Sequence, residues 1–366
     1  MTVNTQFWQG QKVIITGAAG FVGSHLTRKL LGLGALVTAV VSKKGGYNKV
    51  LLPAHSNLKV AACNLTNFKA TDSLFKKSGA RGVFHLAASP IVSRAARQPH
   101  SAIRNNVLAS LNVLEASRRN KIKRLLLASS DKAYGDHAAD ELEGLPYAEN
   151  YSLRGIDIYS ASKASADSLA QAYAFQYKIS IAVVRCCNIY GPGDINFTRL
   201  IPLVSMLLLS GKPPVIKAGH ERVLREYLYI DDAVDAYVFL AEKIEGYYGK
   251  NAKNMPFKGK ATYGWTAFNV GSYTKRQTKN LKACENIKNV TEVISALRKA
   301  IRDIKPKVVK KPRQFIEIPD EYMDSTKITK MGFRSKVGFG QGVSRAAAWY
   351  KTNFKVLKRI LDKMQG

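Results

Sequence analysis

An α/β fold, a parallel sheet wound with helices on both faces, is predicted by three features of this chain of 366 residues. Short β-rich runs alternate with longer stretches of helical apolar spacing through the first half. A glycine-rich turn joins the first run to the first helix. The hydrophobic share, 46%, suffices for one large core with a smaller lobe beside it.

The elements follow in order. Lys12–Thr16 is a β-rich run, and after the glycine turn Leu26, Leu30 and Leu31 recur at helical spacing until Gly32 and Gly34 stop the helix. Further strands are expected at 35–41, 58–62, 82–86, 124–128 and 180–185, with helices between them, notably at 101–119 and 160–177. Beyond residue 190 the elements shorten around GPGD (191–194) and GKPP (211–214), with helices expected at 231–242, 291–302 and 343–364. Residues 245–262 and 274–289 are polar and Lys-rich, and are expected to be surface insertions. The expected division is a nucleotide-binding domain over 1–190 and a substrate lobe over 191–366, of which 224–242 returns to the main sheet.

Lys and Arg number 57 against 26 Asp and Glu, a net charge of +31. The basic stretches at 258–260, 275–282 and 305–313 lack interleaved aromatics and any RNP, zinc-finger or KH signature, so nucleic acid is not the expected partner. An anionic substrate would profit from the field. No apolar run has membrane-spanning length, and MTVNTQFWQGQ lacks the layout of a signal peptide. Cys63, Cys186, Cys187 and Cys284 show neither CxxC nor metal-ligand spacing, so no metal is expected. A reducing, cytoplasmic location follows.

Gly17, Gly20 and Gly23 form GxxGxxG at a strand-to-helix junction, where the backbone can approach a pyrophosphate and the helix N-terminus can face it. The second strand ends in Ser42-Lys43-Lys44 with no carboxylate for a ribose 2′-hydroxyl, which favours NADP over NAD. Tyr159 and Lys163 stand four apart, on one helical face, and a nearby ammonium lowers a phenol pKa. In Ser129-Ser130-Asp131-Lys132-Ala133-Tyr134-Gly135 an acid and a base sit side by side at the end of an apolar strand.

Taken in order, GxxGxxG, HLAA (85–88), NNVLASLNVLEA (105–116), a strand ending in SSD, YSASKA (159–164), RCCNIYGPGD (185–194), IP (201–202), REYLYIDD (225–232) and FNVGS (268–272) resemble the extended short-chain dehydrogenase/reductases of the NAD-dependent epimerase/dehydratase family that act on nucleotide sugars. The resemblance implies a Rossmann domain with a small substrate lobe, and a homodimer built through helices 101–119 and 160–177. It implies that Gly17, Gly20, Phe21, Val22, Gly23, Ser42, Lys43, Asn64, Leu65, Leu86, Ala87, Ala88 and Asn106 hold NAD or NADP together with Tyr159 and Lys163. Ser89, Asn188, Arg199 and Arg225 would meet the nucleotide-diphosphate sugar, Arg225 at its diphosphate. Ser130 would bond the sugar oxygen undergoing oxidation, and Tyr159 would take its proton.

Asp131-Lys132 refines the expectation. Epimerisation at C4 needs only oxidation and re-reduction, whereas 4,6-dehydration also needs a base for the C5 proton and an acid for the C6 hydroxyl. Asp-Lys resembles the pair in CDP-glucose 4,6-dehydratases and in a group of UDP-N-acetylglucosamine dehydratases, and LRGIDIYSASKA (153–164) is similar to the former. Asp131 is then the expected protonated acid and Lys132 the neutral base, its pKa depressed by burial. AYG (133–135), YGPG (190–193) and REYLYIDD look more like epimerases, so a 4-epimerase or related oxidoreductase is the alternative. A non-catalytic NAD(P)-binding protein with RNA affinity is a third reading. The presence of Ser130, Tyr159 and Lys163 argues against it.

Overall fold

The computed structural model describes residues 4–42, 52, 54–137, 143–251, 266–274, 281, 284–310 and 318–365. Its strands are β1 (Lys12–Thr16), β2 (Leu36–Val41), β3 (Leu58–Ala62), β4 (Gly82–His85), β5 (Arg124–Ser130), β6 (Ile181–Cys186), β7 (Asn188–Tyr190), β8 (Val215–Lys217), β9 (Leu224–Tyr229), β10 (Ala267–Val270), β11 (Ile287–Asn289) and β12 (Lys307–Val309). Seven of them form a parallel sheet in the order β3-β2-β1-β4-β5-β6-β10. The strand order reverses between β1 and β4, which opens a crevice at their carboxyl ends.

Each central strand feeds two cores. Val13 and Ile15 of β1 enter one apolar layer while Ile14 enters the other. In β5 Leu126 goes one way, Leu125 and Leu127 the other. Burial on both faces is why these strands read as unbroken apolar runs rather than alternating ones. The helices Phe21–Gly32 and Ile230–Asn251 bring Leu26, Leu30, Val234 and Leu240 to the first layer. Phe68–Ser78, Ala109–Arg119 and Ile158–Tyr177 bring Phe75, Val113, Leu114 and Ala170 to the second.

The smaller lobe rests on a three-stranded sheet, β11-β9-β7, and a two-stranded one, β12-β8. Here the chain departs from the expected division. β9 belongs to the small sheet, and the return to the main sheet is made by the helix Ile230–Asn251 and by β10, which pairs with β6. The expected insertion at 274–289 ends in β11, antiparallel to β9 with Ile287 buried, so its last residues are lobe core. Residues 245–251 continue a helix; 252–265 and 275–280 lie outside the described residues. The last helix, Phe339–Gln365, closes the lobe, with the Tyr350 hydroxyl donating to the Asp194 carbonyl at 2.7 Å.

Candidate active site

The cradle forms where β1 turns into the helix Phe21–Gly32. Gly17 has φ +68°, and a Cβ there would lie 2.8 Å from the Ala87 nitrogen, so only glycine lets this turn sit against the loop after β4. A Cβ on Gly23 would lie 2.1 Å from the Gly17 carbonyl oxygen. Gly20 closes the turn, its N–H donating to that carbonyl at 2.9 Å. Phe21 and Val22 are half-buried in the first helical turn. This narrow, side-chain-free cradle at a helix N-terminus fits a dinucleotide pyrophosphate. Ser42 is exposed at the end of β2, and Lys43 lies outside the described residues. Asn64 is exposed after β3 and accepts from Thr66 N and Oγ1, while the buried Leu65 gives its carbonyl to Asn112.

A one-way chain of hydrogen bonds ties the loop Leu86-Ala87-Ala88-Ser89 to the helices behind it. Ala87 N–H donates to Thr16 Oγ1 (3.2 Å), which lies 2.7 Å from His85 Nδ1; His85 Nε2 lies 2.9 Å from Ser110 Oγ, which donates to the Asn106 carbonyl (2.6 Å). Because Ser110 already donates to Asn106, its hydroxyl accepts from His85, which puts a proton on Nε2 and leaves Nδ1 to accept from Thr16 in the neutral ring. Burial, aided by the Lys163 charge, depresses its pKa to about 3, which agrees. Asn106 lies in a π-helical turn, Arg104–Leu108, and reaches both ways: Oδ1 accepts from Ser89 N (2.6 Å), and Nδ2 donates to Ser162 Oγ (2.8 Å). It therefore fixes the Ser89 loop against the helix that carries Tyr159 and Lys163.

That helix, Ile158–Tyr177, starts at Asp157, whose carboxylate accepts from Tyr159 N and Ser160 N. Lys163 is buried, donates to the Ala128 carbonyl of β5, and has its pKa lowered to about 8 by burial. Tyr159 bonds to Ser130. Burial raises its pKa, against opposing effects of Arg199, Lys132 and the Ser130 bond. The expected lowering by Lys163 is thus corrected: that ammonium is turned onto β5, and the cations acting on the phenol are Arg199 and Lys132.

SSDKAYG leaves β5 into a single 3-10 turn, Asp131–Ala133. Gly135 has φ +76°, and a Cβ would fall 1.9 Å from the Arg154 carbonyl, so a glycine is needed to lay this loop against residue 154. Tyr134 turns inward under the Arg185 guanidinium. Asp131 is 2% exposed; Oδ1 accepts from Ser130 Oγ (2.9 Å) and Lys132 N (2.8 Å), while Oδ2 has no partner. Burial and then the Glu321 carboxylate push its pKa up to about 6. Lys132 Nζ donates to Glu321 Oε2 at 2.6 Å. Burial by itself would lower the lysine pKa, but Glu321 and Asp131 together outweigh it and the net shift is upward. The depressed pKa expected of Lys132 is thus corrected: the carboxylates beside it shift it the other way.

Arg225 is held by the protein itself. Its Nε bonds Glu321 Oε2 (2.9 Å), Nη1 donates to the Leu224 and Pro319 carbonyls, and Nη2 to that of Ile318. It fastens the 318–321 segment to β9. Asn188 Nδ2 donates to the Glu226 carbonyl, and Arg199 pairs with Asp194 at 3.1 Å with 40% of its side chain exposed. Glu321 lies in none of the motifs, and Glu226 and His85, though inside REYLYIDD and HLAA, were assigned no role there. The acidic run of Glu317, Asp320, Glu321 and Asp324 stands out in a basic chain, but the lysine that Glu321 meets is 189 residues away, so the run alone assigns no role.

The sequence profile of the NAD dependent epimerase/dehydratase family matches residues 13–253, and the chain belongs to that family, as the order of its motifs implied. A dTDP-D-glucose 4,6-dehydratase of Dictyostelium discoideum is 32% identical over 246 residues, 64% of this chain and 56% of that protein. The dTDP-glucose 4,6-dehydratase of Shigella flexneri is 27% identical over 373 residues, covering 95% of each. Among solved structures, a UDP-glucose 4-epimerase of Thermotoga maritima with UDP-glucose superposes with a TM-score of 0.76 at 23% identity, over 93% of this chain and 99% of that one, a likeness of fold. No helix among the described residues is long and apolar enough to cross a membrane.

Proposed function

We propose that this enzyme is a nucleotide-sugar 4,6-dehydratase, converting an NDP-hexose to an NDP-4-keto-6-deoxyhexose. One observation carries the reading: a buried acid and a lysine follow Ser130 within range of Tyr159, and the acid keeps one carboxylate oxygen without a partner. An epimerase has no use for that pair. The kinship with the D. discoideum and S. flexneri dehydratases supports it.

Ser130 holds the C4 hydroxyl and Tyr159 takes its proton. A nicotinamide dinucleotide held at the Gly17-Gly20-Gly23 cradle would supply the hydride chemistry, taking the C4 hydride and giving it to C6. With C4 a ketone the C5 proton is acidic, and the Asp131-Lys132 pair removes it while protonating the departing C6 hydroxyl. Arg199, at the site through its effect on Tyr159, and Asn188 meet the substrate. The cradle holds NAD, and the exposed Ser42 with no carboxylate over residues 40–44 supports acceptance of NADP as well. Incubation with CDP-, UDP-, GDP- and dTDP-glucose, followed by alkaline 4-keto absorbance and mass loss of water, tests the reading. Epimerisation of one sugar without dehydration of any would replace it with the 4-epimerase.

The pair of long helices supplies the reading of quaternary structure. Ile103 and Leu108 on one, Phe175 and Tyr177 on the other, are 38–47% exposed, an apolar face on both helices expected to meet a second copy. All four cysteines are unpaired, in keeping with a reducing cytoplasm.

A further inference from the structure

Behind Ser130, charged side chains from three distant stretches meet, and their hydrogen bonds divide them into donors and acceptors. Asp131 Oδ1 accepts from Ser130 Oγ and Lys132 N, and Oδ2 is buried with no partner, so it can take up a proton. Lys132 Nζ donates, to Glu321. Glu321 is fully buried, shares the same Oε2 with Arg225, and leaves Oε1 without a partner. It has little room to move. Its N–H donates to the Leu224 carbonyl (3.1 Å), its carbonyl accepts from Glu226 N (3.1 Å), and Arg225 is locked to the carbonyls on either side.

Resting on the dehydratase reading, we propose that Glu321 is a positioning residue that holds Lys132 as an ammonium at the cleft, so that Lys132 protonates the leaving C6 hydroxyl and Asp131 removes the C5 proton. This exchanges the roles that the Asp-Lys motif suggests. In the step, Asp131 Oδ2 bonds the C5 proton and the C5–H electron pair becomes the C5=C6 π bond. The C6–O bond breaks, its electron pair leaving on the oxygen, which takes a proton from Lys132 to become water. Asp131 ends neutral and protonated, Lys132 ends as the neutral amine, and net charge is conserved.

The groups facing Lys132 favour this direction. Glu321 and Asp131 hold its proton on, Arg225 opposes them, and Tyr159 lies within range of its charge. Two cations, Lys132 and Arg225, converge on one oxygen of Glu321. Asp131, lifted toward neutrality by burial, is ionised near pH 7 and still basic enough to accept a proton.

The test is the kcat pH profile of the NAD-loaded enzyme on whichever NDP-glucose it dehydrates, with Glu321→Gln and Glu321→Asp. NAD affinity and thermal melting serve as folding controls. For Glu321→Gln the expected result is a kcat at pH 7.5 lowered about tenfold or more. The high-pH limb should move down by about one unit. KM should stay within about threefold, and Glu321→Asp should recover part of kcat. If neutral lysine were the working form, removing Glu321 would raise kcat near neutral pH; a raised or unchanged kcat overturns the proposal. Should Glu321→Gln not fold, the Lys132 titration in the wild-type protein, followed by 13C-methyl NMR, decides: a pKa at or above the ordinary lysine value supports it, a lower one overturns it. A wild-type enzyme that dehydrates no NDP-glucose refutes the function itself, a separate result.

Discussion

Two buried ionic clusters flank the end of β5, and they are built to opposite rules. In the first, Arg185 is fully buried and gives Nε and Nη2 to Asp167 (2.8 and 2.9 Å) and Nη1 to the Tyr134 hydroxyl (2.7 Å) and the Glu149 carbonyl (3.0 Å). Asp167 also accepts from Ser129 and Gln171, and the Tyr134 hydroxyl passes its proton bond to Asn269. None of these side chains has a buried polar atom left over. In the second, Asp131, Lys132, Glu321 and Arg225, two carboxylate oxygens have no partner. A closed network specifies the fold; one left open at a cleft leaves acceptors for a substrate.

The largest expected effect breaks the closed cluster. Arg185→Met leaves Asp167 charged and buried, which costs about 3–5 kcal/mol, so the variant should melt far below the wild type or not fold; a shift of only a degree or two would mean the cluster is dispensable. Next, Lys132→Ala should lower dehydration about 100-fold or more while melting within a few degrees of wild type, since Arg225 still pairs Glu321. An unchanged rate would make Lys132 a bystander.

The third effect is smaller and runs against intuition. Asp131 has a folded-state pKa raised from 3.8 to about 6, so the folded state binds its proton more tightly than the unfolded chain. Stability from this group is present below the unfolded pKa and is lost as pH rises from about 4 to about 6. Asp131→Asn should therefore be more stable than wild type above pH 6, by on the order of 1–3 kcal/mol, with the advantage vanishing below pH 4, and inactive throughout. Calorimetry across that range checks it; a destabilised variant at pH 7 would place Asp131 in the closed class. The last effect is confined to acid pH and concerns His85, whose depressed pKa has the opposite sign: its contribution is full above pH 6.5 and is lost as pH falls toward about 3. His85→Gln should flatten the acid limb of the melting curve.

The same contrast explains what could be read in advance. The six strands up to β6 were legible within a residue or two because most are apolar runs between helices, and every pairing among them except β1 with β4 joins neighbours in sequence. Gly17, Gly23, Ser130 and Tyr159 were legible because their constraints are local: a turn, a strand end, a helical face. β9 in the small sheet, β11 inside an apparent insertion, and Glu321 were not, since each is defined by partners far along the chain. Lys132 was legible as a position but not as a charge state, because the carboxylate that sets it arrives from the other lobe.

The central claim is that the open cluster performs an elimination. Its most direct test uses the accepted NDP-glucose deuterated at C4, with the product examined by NMR. Dehydration predicts that the label leaves C4 and appears in the C6 methyl group, together with loss of water. A label that stays at C4 in an inverted sugar of unchanged mass would contradict it.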